Sequence, residues 1–324
     1  MKAVVHREYG APESLSIEDV PNPAPGEDDV LIRVMAAGAS IGDHHIITGK
    51  PYLLRLSPFG GFPRPKHPVP GASMSGRVEA VGAKVTTFRV GDEVFGQALN
   101  GAFAEYLVVP AKFIAHKPKN LSFEEAAAVP WGTTALGGLR DAGALKPGER
   151  VLIYGASGAV GTWAVQVGKC LGAHVTAVCS TKNLELVRSL GADEVIDYTT
   201  TDFAAPGARF DVFMDMVGNR SLSDCKRVLK PGGRYVPCSG GGGDWVGPFV
   251  RIIGGMLAFI FGGKRYCLFM QDVNEADLVV MRKFIEAGKM KPVLERVWSF
   301  EETGAALAHV GQGHSRGFNI VRVA

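Results

Sequence analysis

Between Arg150 and Leu171 the chain reads RVLIYGASGAVGTWAVQVGKCL, and this stretch constrains the fold more than any other. Val151-Leu152-Ile153-Tyr154 is a short apolar run of the kind buried in a parallel sheet. Gly155 to Gly161 is a tight turn of small residues, and from Thr162 to Leu171 apolar residues recur at helical spacing. Strand, glycine turn and helix in that order form the first half of a dinucleotide-binding unit. The physical demands are specific. N–H groups at the helix start must approach a pyrophosphate closely, a side chain at Gly158 would block that approach, and the helix dipole favours bound negative charge. Gly161 would let the helix pack tightly on the strand. The usual G-x-G-x-x-G opens here with Ala156, giving A-x-G-x-x-G, so Ala156, Ser157, Gly158, Ala159 and Val160 are the expected cofactor contacts. The pattern alone also fits any glycine-rich turn of an α/β protein. Its position between strand and helix points to the nucleotide.

A chain of 324 residues exceeds what one core organises, so two domains are expected. The net charge is only +3 and no long basic run exists, so nothing calls for nucleic acid as a partner. The five cysteines show no metal-ligand spacing and read as reduced thiols of a cytoplasmic protein. MKAVVHREYG reads as a charged strand start and not as a signal peptide. Trp245 to Phe261 is apolar but short, and Pro248, Arg251 and Gly254-Gly255 interrupt it; no transmembrane segment is expected, and an apolar flap or interface fits better.

Residues 1–121 present short strands punctuated by Gly and Pro: Lys2–His6, Leu15–Val20, Asp29–Ala37, Met74–Val81, Asp92–Phe95 and Ala102–Val109. This favours a small β-barrel. At Ser122-Phe-Glu-Glu125 a capping box opens a helix, and strands and helices then alternate to residue 288, which implies a parallel sheet covered on both faces. Residues 289–324 turn β-like again and end in Phe318–Val323, expected to return to the first domain.

A β-barrel interrupted by such an α/β unit resembles the medium-chain dehydrogenase/reductase superfamily, in particular its zinc-less quinone oxidoreductase branch. The motifs that carry the resemblance are Pro70-Gly71 with Gly76-x-Val78-x-x-Val81-Gly82, Gly91-Asp92-x-Val94, Ala102-Phe-Ala-Glu-Tyr106, Ala126-Ala-Ala-Val-Pro130 with Thr134-Ala135, and Gly155 to Gly161 with Gln166. The resemblance implies a Rossmann domain over 122–288, a doubly wound parallel sheet, inserted into a GroES-like β-barrel catalytic domain made of 1–121 and 289–324. Zinc-dependent members carry a cysteine, a G-H-E and a third ligand where this chain has Ser40, Ala72-Ser73 and Val129-Pro-Trp-Gly132. Catalytic zinc needs three Cys, His or carboxylate ligands, so no metal is expected. His44, His45 and His67 read as loop or surface histidines.

Cofactor choice is set at the end of the second Rossmann strand, where NAD-preferring sites place Asp or Glu. Here the sequence is Cys179-Ser-Thr-Lys-Asn183, with no carboxylate, so NADPH is expected, with Ser180 and Lys182 on its 2′-phosphate. The resemblance adds Tyr198 to that contact. Val217 and Gly218 after the fourth strand, and Ser239 after the fifth, lie at strand carboxyl ends where ligands bind. Phe269 and Met270 resemble the segment lining the nicotinamide pocket, and core packing is the alternative. Tyr52 stands where enoyl reductases of the superfamily place a tyrosine donor; a phenol can donate a proton and hydrogen-bond a developing oxyanion, or the ring simply packs. Asp43 matches the loop aspartate of the superfamily, and Ser40 replaces an asparagine common in the quinone branch.

The resulting expectation is a zinc-independent, NADPH-dependent oxidoreductase acting on a quinone or an α,β-unsaturated carbonyl, and forming a homodimer. The alternatives are a cofactor-binding protein without turnover and an alcohol dehydrogenase with an atypical site.

Overall fold

The computed structural model describes residues 1–324 except 58–59, 206–209, 239–242, 248 and 271–272. The chain divides into two compact units, Met1–Trp131 with Asp272–Ala324, and Gly132–Gln271.

In the first unit β1 (Lys2–Val5) pairs antiparallel with β2 (Ser16–Asp19). Then come β3 (Asp29–Ala39), α1 (Ile41–Thr48), β4 (Ser73–Val81), β5 (Glu93–Gln97), β6 (Tyr106–Pro110), β7 (Ile114–His116) and α2 (Phe123–Ala128). Along β3 the wholly buried Val30, Ile32 and Val34 alternate with Leu31, Arg33 and Met35, the period of two of a strand with one face on a core.

The second unit contains α3 (Gly132–Leu136), β8 (Arg150–Tyr154), α4 (Ala159–Cys170), β9 (His174–Cys179), α5 (Leu184–Ser189), β10 (Glu194–Asp197), β11 (Phe210–Asp215), α6 (Leu222–Arg227), β12 (Leu229–Pro237), α7 (Gly243–Val246), α8 (Phe249–Ala258) and β13 (Arg265–Tyr266). Its strands form one parallel sheet in the order β10-β9-β8-β11-β12-β13. The chain runs outward from β8 to β10 and then crosses back to β11. The order therefore reverses between β8 and β11, and the crevice beyond their carboxyl ends is where such a sheet binds ligands.

The chain completes the first unit with α9 (Glu275–Glu286), β14 (Leu294–Trp298), α10 (Thr303–Gly311) and β15 (Phe318–Arg322). Strand β15 lies antiparallel to β3 and parallel to β14, giving the sheet order β14-β15-β3-β4-β5-β7 with β6 also on β3.

The sequence places the domain boundaries at 121/122 and 288/289, whereas the compact units meet at 131/132 and 271/272. The reason is packing: Ser75 Oγ donates to Phe123 O at the start of α2, and Asn120 Nδ2 donates to Ile285 O of α9, 3.0 Å. The strand expected from Ala102 begins at Tyr106, preceded by a single bridge between Ala104 and Ala3, and of the apolar run Tyr266–Met270 only Tyr266 joins the sheet edge, in the short strand Arg265–Tyr266.

Helix α8 has an inverted amphipathicity. Its inner side holds Arg251, Gly255 and Ala258, and a Cβ at Gly255 would stand 2.1 Å from the Tyr266 ring. Its outer side carries Val250, Ile253 and Leu257, each at least 60% exposed. Among the described residues no helix is long and apolar enough to cross a membrane.

Candidate functional site

In the second unit the turn after β8 is shaped by three glycines with different tasks. Gly155 adopts φ +83°, a left-handed conformation that favours glycine. Gly161 is required by packing, because a Cβ there would lie 2.1 Å from Gly155 O and 2.9 Å from Ala156. At Gly158 a Cβ would meet only Gly155 O, at 3.5 Å, an ordinary contact. The fold therefore tolerates a side chain at Gly158, and the space in front of it is left open. Gly158 is also the N-cap of α4 and brings no capping side chain. The first helical bond runs from Thr162 N to Gly158 O, 2.9 Å, so the N–H groups of Ala159, Val160 and Gly161 have no acceptor within the helix. A twelve-residue helix with open N–H groups and a bare approach fits a pyrophosphate. Ala156 is wholly buried and its N–H donates to Val178 O, 3.1 Å, so it shapes the turn and presents no polar group.

Asn183, to which the sequence reading assigns no contact, ties this turn to the end of β9. It is 5% exposed, and its Nδ2 donates to Ser157 Oγ at 3.0 Å and to Ser180 Oγ at 3.3 Å. Lys182 is exposed and has no carboxylate partner among the described residues. A carboxylate nevertheless stands nearby. Asp197 ends β10 beside β9 and accepts from the hydroxyls of Thr181 and Thr199. The Thr181 and Thr199 hydroxyls hold its pKa below the usual carboxylate range. Tyr198 follows it, 44% exposed.

At the end of β11, Asp215 is 0% exposed and its Oδ1 accepts from Val217 N, 2.9 Å, and Gly218 N, 2.8 Å. Val217 packs on the glycine turn: a Cβ at Gly155 would lie 2.9 Å from Val217 Cγ2. The turn after β8 and the loop after β11 thus meet at the reversal of strand order. Phe269 packs on Gly138, where a Cβ would meet its ring at 3.2 Å, and Met270 is 83% exposed. Ser239 lies outside the described residues.

In the first unit Ser40 and Asp43 form a capping box on α1. Ser40 Oγ and N donate to Asp43 Oδ2 at 2.6 and 2.9 Å, and Asp43 N donates to Ser40 Oγ at 3.2 Å. Asp43 is 1% exposed; burial pushes its carboxyl up to about 6 against the bonds from Ser40 and the backbone of Gly71. Tyr52 opens the short 3-10 turn Tyr52–Leu56, with the Arg55 guanidinium 4.8 Å from its ring centroid. The histidines do not converge. His44 Nδ1 bonds Leu307 O at 3.2 Å, and the His67 carbonyl bonds the His6 ring. Burial lowers the pKa of His45. Ser73 Oγ, next to Ala72, accepts from Trp131 Nε1 at 3.0 Å. Among the described residues no three His, Cys, Asp or Glu side chains are placed to hold a metal ion.

Comparison with known proteins agrees with this architecture. Residues 26–119 match the alcohol dehydrogenase GroES-like domain and residues 190–321 match the zinc-binding dehydrogenase family. The chain is 35% identical to 2-methylene-furan-3-one reductase of Solanum lycopersicum, over 98% of this chain and 78% of that protein. It is 31% identical to a chloroplastic quinone oxidoreductase of Triphysaria versicolor, over 99% of this chain and 98% of the relative. The solved quinone oxidoreductase of Coxiella burnetii superposes with a TM-score of 0.87 at 27% identity, covering 100% of this chain and 99% of that one. With the sheet reversal, the glycine turn and these relatives in agreement, the chain belongs to the medium-chain dehydrogenase/reductase superfamily, in its quinone oxidoreductase-like branch.

Proposed function

We propose that this protein is a zinc-independent oxidoreductase that uses NADPH to reduce a quinone or an α,β-unsaturated carbonyl. The observation that carries the cofactor reading is the turn at Gly158, open in front of unpaired helix N–H groups. Ala159 and Val160 would hold the pyrophosphate through their N–H groups, with Ser180, Lys182 and Tyr198 toward the 2′-phosphate. NADPH, when bound, supplies a hydride from its nicotinamide ring. The substrate class follows the relatives, which are named as a 2-methylene-furan-3-one reductase and a quinone oxidoreductase; a 2-methylene-furan-3-one is an α,β-unsaturated ketone. Ser40 and Ala72 at the positions of metal ligands support chemistry without zinc, although one matching family model carries zinc in its name. Hydride addition to an enone leaves an enolate that must take up a proton. Tyr52 is the proposed donor at its hydroxyl. Asp43 is engaged by Ser40 and Gly71 and serves as a helix cap. The test is NADPH oxidation followed at 340 nm against quinones, enals and enones. Oxidation by at least one acceptor class is expected, and NADPH binding with no turnover on any of them would leave a cofactor-binding protein.

A homodimer is the proposed assembly. Six large side chains on and around α8 (Trp245, Val250, Ile253, Leu257, Ile260 and Phe261) are each at least 60% exposed. Large apolar side chains of this kind amount to several hundred Å² together, on the scale of one side of a standard interface, about 800 Å². The patch adjoins β13, one edge of the sheet, which a second copy would cover by strand pairing. Light scattering should give a dimer mass at micromolar concentration; a monomer mass refutes it. Five cysteines scattered without metal-ligand spacing support a reducing compartment, the cytoplasm, as its location.

A further inference from the structure

Arg251 is the only charged residue between Trp245 and Phe261, and it points inward from α8 toward the end of β11. Its side chain is 14% exposed. Nη1 donates to Arg220 O at 2.7 Å, while Nη2 reaches Tyr235 OH at 3.0 Å and Asp215 Oδ2 at 3.5 Å. Tyr235 OH itself donates to Asp215 Oδ2 at 2.7 Å. The other oxygen of Asp215 accepts from Val217 N and Gly218 N. Asp215 and Arg220 bracket the loop Met216–Arg220, so one guanidinium from α8 grips both of its ends. Tyr154 OH, from β8, donates to Asn219 Oδ1 at 2.9 Å and pins the middle. Gly218 sits at φ +70°, the left-handed corner that this closure requires.

A wholly buried carboxylate is costly unless paired and hydrogen-bonded, and replacing the pair together by apolar residues would remove that cost. Its presence is accounted for by the two N–H groups it aligns. The counter-charge comes from a segment whose outward face is apolar. The segment 243–261 therefore does more than cover the sheet.

We propose that Asp215 and Arg251 are positioning residues for the cofactor: they fix the Met216–Arg220 loop, and through Arg251 helix α8 becomes part of the nicotinamide-side binding machinery. This rests on the cofactor reading given above. Neither side chain need touch the cofactor. With the loop loosened, only a fraction of molecules holds it in place, and affinity falls by that fraction.

The experiment compares NADPH with its adenine-side fragment 2′,5′-ADP, both titrated into the full-length parent, Arg251→Met and Arg251→Lys. Arg251→Met keeps the length and removes the donors. It is expected to weaken NADPH about 10- to 100-fold, if the loop is held in about 1–10% of molecules, while 2′,5′-ADP changes less than about twofold. Arg251→Lys, which can reach one end of the loop but not both, should fall between. Hydrogen exchange in the cofactor-free protein should show the Val217 and Gly218 amides opening faster in Arg251→Met. Should Arg251→Met fold poorly because Asp215 is left uncompensated, the double variant Arg251→Met/Asp215→Asn removes both charges and should show the same split between ligands. Equal weakening of the two ligands, or no change in either, overturns the proposal, as does unaltered exchange at Val217 and Gly218. A parent that binds neither ligand would instead overturn the cofactor reading, and is seen before any variant is compared.

Discussion

The turn Gly155–Gly161 of the parallel-sheet unit offers backbone N–H groups, whereas the Ser40–Tyr52 segment of the barrel unit offers hydroxyl and carboxyl side chains. The first is held by local geometry: a left-handed glycine, a helix start and a close approach of Gly161 to Gly155 O. In the second, the Ser40–Asp43 pair is locked into a capping box, and Tyr52 lies under Arg55 in a separate turn. A site built from backbone leaves a glycine pattern in the sequence. A site built from side chains depends on which partners the fold brings to them.

The largest effect should come from the side-chain region. Tyr52→Phe keeps the ring and removes the hydroxyl. Enone turnover is expected to fall by about 10²–10⁴-fold with NADPH affinity unchanged, the usual scale for a lost general acid. Reduction of a quinone that takes protons from water should suffer much less. Parent-like enone turnover would leave solvent as the donor and remove Tyr52 from the comparison.

Asp43 should reveal itself through pH. Its folded pKa, about 6, lies above the unfolded value, so the native state holds a proton that the unfolded chain has released. The stability from the protonated form is complete below about pH 4 and is lost as pH rises through about 6, a decline of roughly 3 kcal/mol. Asp43→Asn cannot ionise and its side-chain oxygen still accepts from Ser40 and Gly71. Urea unfolding between pH 4 and 8 should show the variant without that part of the slope, gaining on the parent toward pH 8. Parallel pH profiles would contradict the assignment.

Two glycines sharpen the backbone side of the comparison. Gly161→Ala forces a Cβ against Gly155 O and should destabilise by about 1–3 kcal/mol, seen as a lower Tm. Gly158→Ala has room in the fold and should keep the parent Tm while losing NADPH affinity about 10- to 100-fold, roughly 1.4–2.7 kcal/mol. If Gly158→Ala binds like the parent, the open space is not the pyrophosphate site.

The smallest effects concern the 2′-phosphate. Lys182→Ala should weaken NADPH by about tenfold and NADH little, narrowing the preference. Asp197→Asn should move it the other way by a few-fold, because a carboxylate beside Thr181 disfavours a phosphate there. Equal affinities of the parent for NADPH and NADH would set aside both.

What the sequence makes legible follows the same division. The strand, turn and helix at Arg150–Leu171 and the capping box at Ser122 are local patterns, and each forms where the residues place it. Asp197 is not legible as a neighbour of Lys182, because β10 and β9 pair only after the helix between them folds back. Asn183 gives no signal in a polar loop, although it joins Ser157 to Ser180. Arg251 looks like an interruption in an apolar run until Asp215, thirty-six residues earlier, is brought beneath it. Pro231-Gly232-Gly233 has the composition of a turn, yet β12 already begins at Leu229 and runs through it, its register shifting between Phe210 and Val212.

The most direct test of the account is turnover by metal-stripped protein. After exhaustive chelation and elemental analysis confirming less than about a tenth of a zinc per chain, NADPH oxidation by the best quinone or enone acceptor should proceed at the parent rate, since the ligand positions hold Ser40 and Ala72. Activity that disappears on stripping and returns with stoichiometric zinc would contradict it.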